Sequence, residues 1–357
     1  MKKILIDGLN FHPMDGGFSS AFLDLLRTVG SLRDFEFFLL HDERYDRLFR
    51  GFDIQTVGVR VPRKFRSFYG YLRFQHLSDH LNADAIHCEI SAVPWQADIP
   101  VSATVHDLFF LEESRRRGRV IRGVIDDLYW KRVYLKSLHR AKIIKCISEH
   151  TKAVFQSTIP YDGPVEVVYP RFAPPENTVP PAGFPASDNE LKIMFLGSVI
   201  GRKNLPYLLE ALSTVQRPWR LDIVGNVWEV DSRTKERLKD ARITVHGYVS
   251  EEAKQALFDR SHLVVLPSLE EGFGYPVAEA MLRKRAVLVS DIPVFREYVP
   301  AACRFDLENP LDLSAKIDGL DRGNYAHRIS DCWDAVQRFD ARQSIEAHQA
   351  FFDKLLD

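Results

Sequence analysis

Two glutamates, Glu271 and Glu279, stand eight residues apart in a run that also holds two glycines. The pattern predicts a buried strand before the run, a loop, and then the first turns of a helix. A helix N-terminus exposes N–H groups and a partial positive charge that attract anions, and carboxylates accept hydrogen bonds from hydroxyls. The segment favours a hydroxylated and phosphorylated ligand, such as a nucleotide sugar. The alternative is a surface junction with two solvated glutamates.

Adjacent cations form a second candidate group in the same half of the chain. Arg202 and Lys203 follow a strand that is predicted to end at Gly197, and they precede a helix. Lysine acts as a point charge, whereas arginine makes paired contacts with phosphate oxygens. The pair therefore suits a diphosphate, and the alternative is a solvated helix start.

The first half of the chain offers two weaker motifs. Gly16 and Gly17 precede a predicted helix, where backbone N–H groups can approach a phosphate closely. His106 and Asp107 follow a predicted strand and offer a donor or acceptor and a carboxylate. Their alternatives are a plain turn and a structural histidine. The glycines match neither a P-loop nor the GxGxxG fingerprint, which disfavours a dehydrogenase.

Short β-rich runs alternate with helical stretches along the whole chain. Many of the runs are continuously apolar, which predicts parallel sheets covered on both faces. Ser148 is predicted to cap a helix that begins at Glu149, and residues 325–356 are predicted to form one or two long helices. The expected strands are 3–7, 35–40, 54–59, 85–89, 101–106, 143–147, 165–169, 192–197, 220–225, 243–249, 263–267 and 286–291.

A proline-dense stretch interrupts this alternation between residues 170 and 189. Because proline cannot continue a helix or a sheet, the stretch reads as a linker. A chain of 357 residues is also long for one core. We therefore predict an α/β architecture of two doubly wound domains, 1–170 and 191–335, with a linker at 171–190 and a final helix at 336–357. Such sheets bind ligands at the carboxyl ends of their strands, so we expect the site in a cleft between the domains.

Composition narrows the class of protein. The hydrophobic fraction is 45%, and no apolar run approaches the roughly 20 residues that span a bilayer. The N-terminal apolar run reads as a first strand rather than a signal peptide. The four cysteines lie far apart, which disfavours structural zinc and a disulfide framework and suits a reducing cytoplasm.

Basic residues cluster in the first half of the chain. Residues 1–170 carry 24 Lys and Arg against 21 Asp and Glu. One cluster spans residues 60–73 and is interleaved with aromatic residues, and another spans residues 115–122. Basic–aromatic mixtures suit an anionic membrane surface, which predicts peripheral association with the inner face of the cytoplasmic membrane. The alternative is two solvated, mobile loops; a nucleic-acid partner, which would rest on these clusters alone, is not expected.

Taken together, these motifs resemble the retaining glycosyltransferases of family 4, which share the two-domain GT-B fold. The resemblance covers nearly all of residues 190–300 and is looser in the first half, where it includes Gly16-Gly17 and residues 105–108 and 141–149. In the second half the matching segments are 195–197, Arg202-Lys203-Asn204, 245–252, the Glu-x7-Glu segment 271–281 and 286–291. The resemblance implies that the C-terminal helix packs back on the N-terminal domain, and that this domain holds the acceptor.

It also implies roles for the charged residues of the second half. Glu279 would bind the ribose hydroxyls of the donor. Glu271 would lie near the 3-hydroxyl of the transferred sugar. Arg202 and Lys203 would neutralise the diphosphate.

Other positions match the family through their backbone. Gly272, Phe273 and Gly274 would face sugar hydroxyls through main-chain atoms. Tyr248 and Val249 would meet the base, also mainly through their backbone.

In the first half, Gly16 and Gly17 would reach the donor phosphates, and His106 would lie near the reacting face of the sugar. This chain departs from the family at two places. Ser198 stands where many members carry an arginine, so that Arg202 would take over that charge. Tyr275 stands where leucine is common, which would reshape the sugar pocket.

The resemblance implies a mechanism without a cofactor or metal ion. Fixed cations and helix-end N–H groups lower the barrier by meeting the charge that develops on the leaving diphosphate. Front-face attack, in which the leaving phosphate takes the acceptor proton, would retain the configuration. No Asp-x-Asp triplet occurs in the chain, so a divalent ion is not expected.

We therefore predict a hexosyltransferase that uses a nucleotide sugar, with GDP-mannose as the first candidate and UDP-sugars open. The acceptor would be a glycan or a lipid-linked molecule in lipopolysaccharide, O-antigen or exopolysaccharide synthesis. Alternatives are a nucleotide-sugar epimerase or phosphorylase of the same fold, and a non-catalytic nucleotide-sugar-binding subunit of an assembly complex.

Overall fold

The computed structural model describes residues 1–13, 17–62, 76–89, 92–109, 133–174, 183–185, 189–199, 201–227 and 230–357. Gly16, most of both basic clusters and much of the predicted linker lie outside these ranges. The chain forms two compact units. Unit 1 comprises Met1–Arg171 and Ala341–Asp357, and unit 2 comprises Phe172–Asp340.

Unit 1 is built on a parallel sheet of seven strands, in the order β3-β2-β1-β4-β5-β6-β7. The apolar runs form its central strands because both faces of the sheet are covered. The strands are β1 Lys2–Asp7, β2 Phe35–Asp42, β3 Gln55–Val59, β4 Ala85–Cys88, β5 Val101–Val105, β6 Ile143–Cys146 and β7 Val165–Val167.

The helices of the first part of unit 1 pack on this sheet. The first helix buries Phe22, Leu25, Leu26 and Val29 on its apolar face. The Ser148 side chain accepts a hydrogen bond from the Thr151 N–H and begins a later helix, as predicted. The helices are α1 Gly17–Val29, α2 Asp46–Phe49, α3 Leu135–Leu138 and α4 Glu149–Thr158, and residues 76–81 are also helical.

Unit 2 repeats this design with a parallel sheet of six strands, in the order β10-β9-β8-β11-β12-β13. Its last, two-residue strand is absent from the prediction because it is too short to produce a pattern. The strands are β8 Leu191–Leu196, β9 Trp219–Val224, β10 Ile243–Gly247, β11 Leu263–Leu266, β12 Ala286–Ser290 and β13 Arg304–Phe305.

Helices connect the strands of unit 2 and cover both faces of its sheet. A core of leucine, isoleucine and aromatic side chains from these helices and strands fills the unit. The helices are α5 Leu205–Leu212, α6 Ser232–Arg237, α7 Glu251–Arg260, α8 Tyr275–Leu282, α9 Pro293–Arg296, α10 Pro310–Asp318 and α11 Arg322–Val336.

The C-terminal region consists of two long helices separated by a short 3₁₀ turn, Gln337–Phe339. The final helix, α12 Ala341–Leu356, belongs to unit 1. Its Phe351 and Phe352 join the unit 1 core. The helix therefore packs on the N-terminal sheet, as predicted. Among the described residues, no helix has the length and apolarity needed to cross a membrane.

Candidate active site

The loop between β11 and α8 holds Glu271 and ends at Gly274, the N-cap of the helix. Gly274 has a φ of +90°, a conformation that glycine adopts without steric cost. A Cβ atom at this position would lie 2.4 Å from the Phe295 ring. Glycine is therefore required for the chain to turn into α8 while remaining packed on its neighbours.

Glu271 lies at the centre of an ionic cluster and is only 5% exposed. Its Oε1 accepts hydrogen bonds from Lys203 Nζ and, at 2.7 Å, from Ser268 Oγ. Its Oε2 lies 3.0 Å from Arg202 Nη1. Three side chains from two loops therefore hold one carboxylate in place.

This arrangement determines the charge of the cluster. Burial alone would raise the pKa of Glu271, but Lys203 and Arg202 outweigh it and hold that pKa below its usual value. Glu271 is thus a carboxylate at neutral pH and is unsuited to act as a general acid. Two cations and one anion leave the cluster with a net positive charge for an anionic ligand.

The loop after β8 delivers both cations to this position. Gly197 has a φ of +139°, and a Cβ there would lie 3.4 Å from Lys203 Cε. The lysine stem therefore passes directly over the glycine. The Leu269 N–H donates to the Arg202 carbonyl at 2.8 Å, which ties the two loops together.

Glu279 lies on α8 and faces a different partner. Lys254 Nζ, on α7, lies 3.3 Å from the Glu279 carboxylate and 2.9 Å from Glu251 Oε2. Although burial works to lower the pKa of Lys254, these two carboxylates raise it. Lys254 is thus a fixed cation that orients Glu279, and neither spacing nor motif identified it in the sequence.

Tyr298 clamps the backbone of the loop. Its hydroxyl donates to the Phe273 carbonyl at 2.8 Å, and the two rings stack with centroids 5.0 Å apart. The loop that holds Glu271 and Gly272 is thereby anchored at its helix end. Sequence reasoning missed Tyr298 because it lies 25 residues away, after another strand.

The predicted base-binding residues follow β10. Tyr248 is 53% exposed, and Val249 is half-buried. The Gly225 N–H donates to the Gly247 carbonyl at 2.8 Å and fixes the end of the strand. The backbone at this turn is therefore held while the Tyr248 side chain reaches solvent.

In unit 1, Gly17 forms the first residue of α1, while Gly16 lies outside the described residues. His106 follows β5, is buried, and packs its ring against Phe18 with centroids 5.1 Å apart. Its Nε2 lies 3.2 Å from Glu89 Oε1. His106 is thus a partner in a buried polar cluster, and Glu89, which sequence reasoning missed, lies at its centre.

The basic clusters predicted to meet a membrane fall mostly on residues 63–75 and 110–132, outside the described part of the chain. Arg60, which is described, is exposed and lies 3.5 Å from Glu43. The membrane role therefore stays a prediction.

Two family models match the chain, one over each half. A model described as glycosyl transferases group 1 matches residues 190–320. A model described as glycosyltransferase family 4 matches residues 16–170. The segments that these models cover contain every candidate site residue.

Curated relatives include two mannosyltransferases. The O-antigen chain mannosyltransferase RfbU of Salmonella typhimurium is 26% identical over 202 residues, which are 54% of this chain and 53% of RfbU. The serotype-specific mannosyltransferase WbdA of Escherichia coli is 28% identical over 158 residues, which are 40% of this chain and 19% of WbdA. The chain therefore matches about half the length of one relative and about a fifth of the other.

Solved structures resemble the chain over nearly its whole length. HepE of Anabaena, solved in complex with UDP-glucose, matches 99% of this chain and 100% of its own, with a TM-score of 0.73 and 16% identity. The α/β fold class predicted from the sequence, GT-B, is confirmed. The two family models together cover residues 16–170 and 190–320, which is most of the chain, and on that ground the chain belongs to the glycosyltransferases that they describe.

Proposed function

We propose that this protein is a retaining hexosyltransferase that moves a sugar from a nucleotide donor to a glycan or lipid-linked acceptor in cell-surface polysaccharide synthesis. The observation that carries the proposal is the buried Glu271 carboxylate, held by Lys203 and Arg202 beside the start of α8. Carboxylate, cations and helix N-terminus are the groups that a sugar joined to a diphosphate requires.

In this proposal Lys203 and Arg202 bind the diphosphate of the donor and neutralise its charge. The charge on the leaving diphosphate increases as the bond to the sugar breaks, so cations that are already in place lower the barrier. Both are held by Glu271 before any ligand arrives, and little reorganisation is required during the reaction.

Glu271 and Glu279 bind hydroxyls at the two ends of the donor. Glu271, an acceptor of hydrogen bonds, holds a hydroxyl of the transferred sugar beside the backbone of Gly272, Phe273 and Gly274. Glu279 accepts hydrogen bonds from the ribose diol. The turn at Tyr248 and Val249 meets the base.

GDP-mannose is our first candidate for the donor. The relatives RfbU and WbdA are named as mannosyltransferases, which supports mannose. HepE was solved with UDP-glucose, which makes UDP-sugars the alternative. A thermal-shift panel of GDP-, UDP- and dTDP-sugars separates the two, because a ligand that binds only the folded state raises its melting temperature.

The acceptor is a growing glycan or a lipid-linked diphosphate at the inner face of the cytoplasmic membrane. RfbU is named for the O-antigen chain, which supports this class. In this proposal Gly17, at the start of α1, approaches the donor phosphates, and His106 lies near the reacting face of the sugar. Flotation of the protein with anionic but not neutral vesicles tests the peripheral association.

Catalysis proceeds without a divalent metal ion in this proposal. Transfer from the best donor of the panel is measured with a lipid-linked acceptor and with EDTA. We expect initial rates to persist in EDTA, and complete inactivation that magnesium reverses would refute metal independence. The anomeric configuration of the product, read by NMR, decides between retention and inversion.

The same transfer assay distinguishes this function from an epimerase and from a binding subunit. Conversion of the donor without an acceptor would identify an epimerase. Donor binding without any sugar transfer would identify a binding subunit. The assembly role of such a subunit should change little in Glu271→Ala, whereas an enzyme should lose most of its turnover.

A further inference from the structure

Unit 1 buries a set of ionisable groups at the carboxyl ends of its central strands. His87 lies in β4, Glu89 directly follows β4, and Lys145 lies in β6. Their exposed fractions are 0%, 2% and 3%. Charged groups are rarely buried unless they are paired, so this cluster requires a function or a structural reason.

Glu89 connects the members of the cluster. Its Oε2 accepts hydrogen bonds from Thr104 Oγ1 at 2.6 Å, His87 Nε2 at 2.7 Å and Lys145 Nζ at 2.9 Å. Its Oε1 and its backbone carbonyl oxygen each lie 3.2 Å from His106 Nε2. One ring nitrogen of His106 therefore lies against two oxygens of the same residue.

The charge state of Glu89 follows from these contacts. Burial works to raise its pKa, but Lys145 and the hydrogen bonds from both histidines outweigh burial and hold the pKa well below its usual value. Burial lowers the pKa of His87 and keeps that ring neutral at pH 7. Glu89 is thus a carboxylate that is paired with one buried lysine.

The two oxygens at Nε2 determine which tautomer the neutral form of His106 adopts. A carboxylate and a carbonyl can only accept hydrogen bonds, so Nε2 must carry the proton and Nδ1 must be an acceptor. The Phe18 ring packs against the imidazole edge-on. On the backbone side, Thr151 Oγ1 donates to the His106 carbonyl at 3.4 Å. The ring is therefore restrained as well as protonated at a defined atom.

We propose that Glu89 is a positioning residue that holds His106 in the Nε2–H tautomer, so that Nδ1 accepts a hydrogen bond from a hydroxyl of the transferred sugar. The sugar contact rests on the proposed function, whereas the tautomer does not. Lys145, Thr104 and His87 act through Glu89 by keeping its carboxylate ionised and fixed. The cluster thus gives a buried histidine one defined hydrogen-bond acceptor atom.

The tautomer can be measured directly. Long-range ¹H–¹⁵N spectra of histidine-labelled protein distinguish Nε2–H from Nδ1–H, and the His106→Gln variant identifies the His106 signals. We expect Nε2–H in the wild type. If His106 of the wild-type protein is in the Nδ1–H form, or is an imidazolium at neutral pH, the proposal is overturned. This result requires no substitution of Glu89.

Glu89→Gln tests the cause. If the amide oxygen turns to Lys145, its N–H group faces His106 Nε2, so we expect part of His106 to shift to the Nδ1–H form although the backbone carbonyl of residue 89 remains an acceptor. Glu166→Gln is the matched control, because Glu166 pairs with Lys354 at 2.6 Å in the same unit but does not contact His106. An unchanged tautomer in Glu89→Gln would refute the positioning role. The double variant Glu89→Gln/Lys145→Met removes both buried charges and serves if the single variant does not fold.

A double-mutant cycle tests the contribution to turnover. We expect Glu89→Gln to lower kcat by about 10- to 100-fold, the range seen where a carboxylate orients a metal-binding histidine. The same change in the His106→Gln background should cost less than about 3-fold, because coupled residues are not additive. Equal losses in both backgrounds would overturn the proposal.

The outcomes for the two proposals are distinguishable. If the wild type transfers no sugar but His106 is in the Nε2–H form that depends on Glu89, the proposed function fails and the positioning role stands. If transfer occurs and depends on Glu271 but not on Glu89, the positioning role fails and the function stands.

Discussion

Glu89 in unit 1 and Glu271 in unit 2 occupy comparable places in two similar sheets. Each follows the fourth strand of its sheet as counted from the β3 or β10 edge, β4 in one case and β11 in the other. Both carboxylates are buried, and a lysine bonds to each. The shared topology explains the shared position, since the carboxyl ends of parallel strands meet at one edge of a sheet.

Their partners differ, and the difference indicates their roles. Arg202 and Lys203, which hold Glu271, come from a loop, and Arg202 is partly exposed. Lys145, which holds Glu89, is inside a strand, and two buried histidines complete the set. A carboxylate among loop cations can meet a ligand, whereas one enclosed by strands can act only through its neighbours.

Replacing each lysine in turn is the strongest test of this difference between the two buried carboxylates. Lys145→Met leaves the Glu89 carboxylate buried without its cation, and we expect about 3–5 kcal/mol of destabilisation. Lys203→Met should destabilise less, because Arg202 still bonds to Glu271. Denaturant unfolding, followed by probes in each unit, measures both. Equal losses of stability would show that the two clusters are energetically alike.

The second prediction concerns turnover. Glu271→Ala should lower the transfer rate by about 100-fold or more, the size of effect seen when one preorganised polar group is removed from an active site. Initial rates at saturating donor measure it, with the exposed Glu308→Gln as the control. A loss of less than about 3-fold would remove Glu271 from the proposed chemistry.

Acid should destabilise unit 1 through His348, a buried histidine whose pKa is influenced by Lys145 and Glu89 of the cluster. Burial lowers the pKa of His348, on α12, to about 3. Because the unfolded chain binds this proton near pH 6.5 and the folded chain does not, stability should fall as pH drops from 6.5 towards 3. The slope for one such group is about 1.4 kcal/mol per pH unit.

Glu89 acts in the same direction at lower pH. Its folded pKa is depressed, so its contribution is present above about pH 4.5 and is lost as pH falls through the folded pKa. Unfolding curves at pH 7, 6 and 5 for the wild type and His348→Gln measure the histidine effect. Parallel curves for both proteins would contradict it.

The smallest expected effect concerns the support of Glu279. Lys254→Met removes the cation that orients this carboxylate, and we expect the donor KM to rise by about 3- to 10-fold with little change in kcat, because uniform binding is lost. Lys239→Met, at an exposed pair with Glu236, is the matched control. A fall in kcat at constant KM would assign Lys254 to the chemical step instead.

Much of the fold was predictable because short stretches of the sequence determine where each strand and helix lies. Each of the expected strands begins and ends within two residues of its predicted bounds. A short, continuously apolar run between helical patterns must bury both of its faces, and a strand of a covered parallel sheet does so. Ser148 capped its helix as expected. The strand that was missed, β13, has two residues and no periodicity to read.

The candidate site was only partly predictable, and for a physical reason. Glu271, Glu279, Arg202 and Lys203 lie in local motifs of glycine, charge and helix start, which the sequence displays within a few residues. Glu89, Tyr298 and Lys254 carry no such motif.

The sequence by itself thus determined the α/β class, the GT-B resemblance and the residues beside the glycine loops. Only the tertiary structure decided which groups surround Glu89 and Glu271. The strands β4, β5 and β6 are adjacent in the sheet but far apart in the chain, so Glu89, Thr104 and Lys145 meet only on folding. Burial then makes each contact depend on the others, because an unpaired charge there is costly.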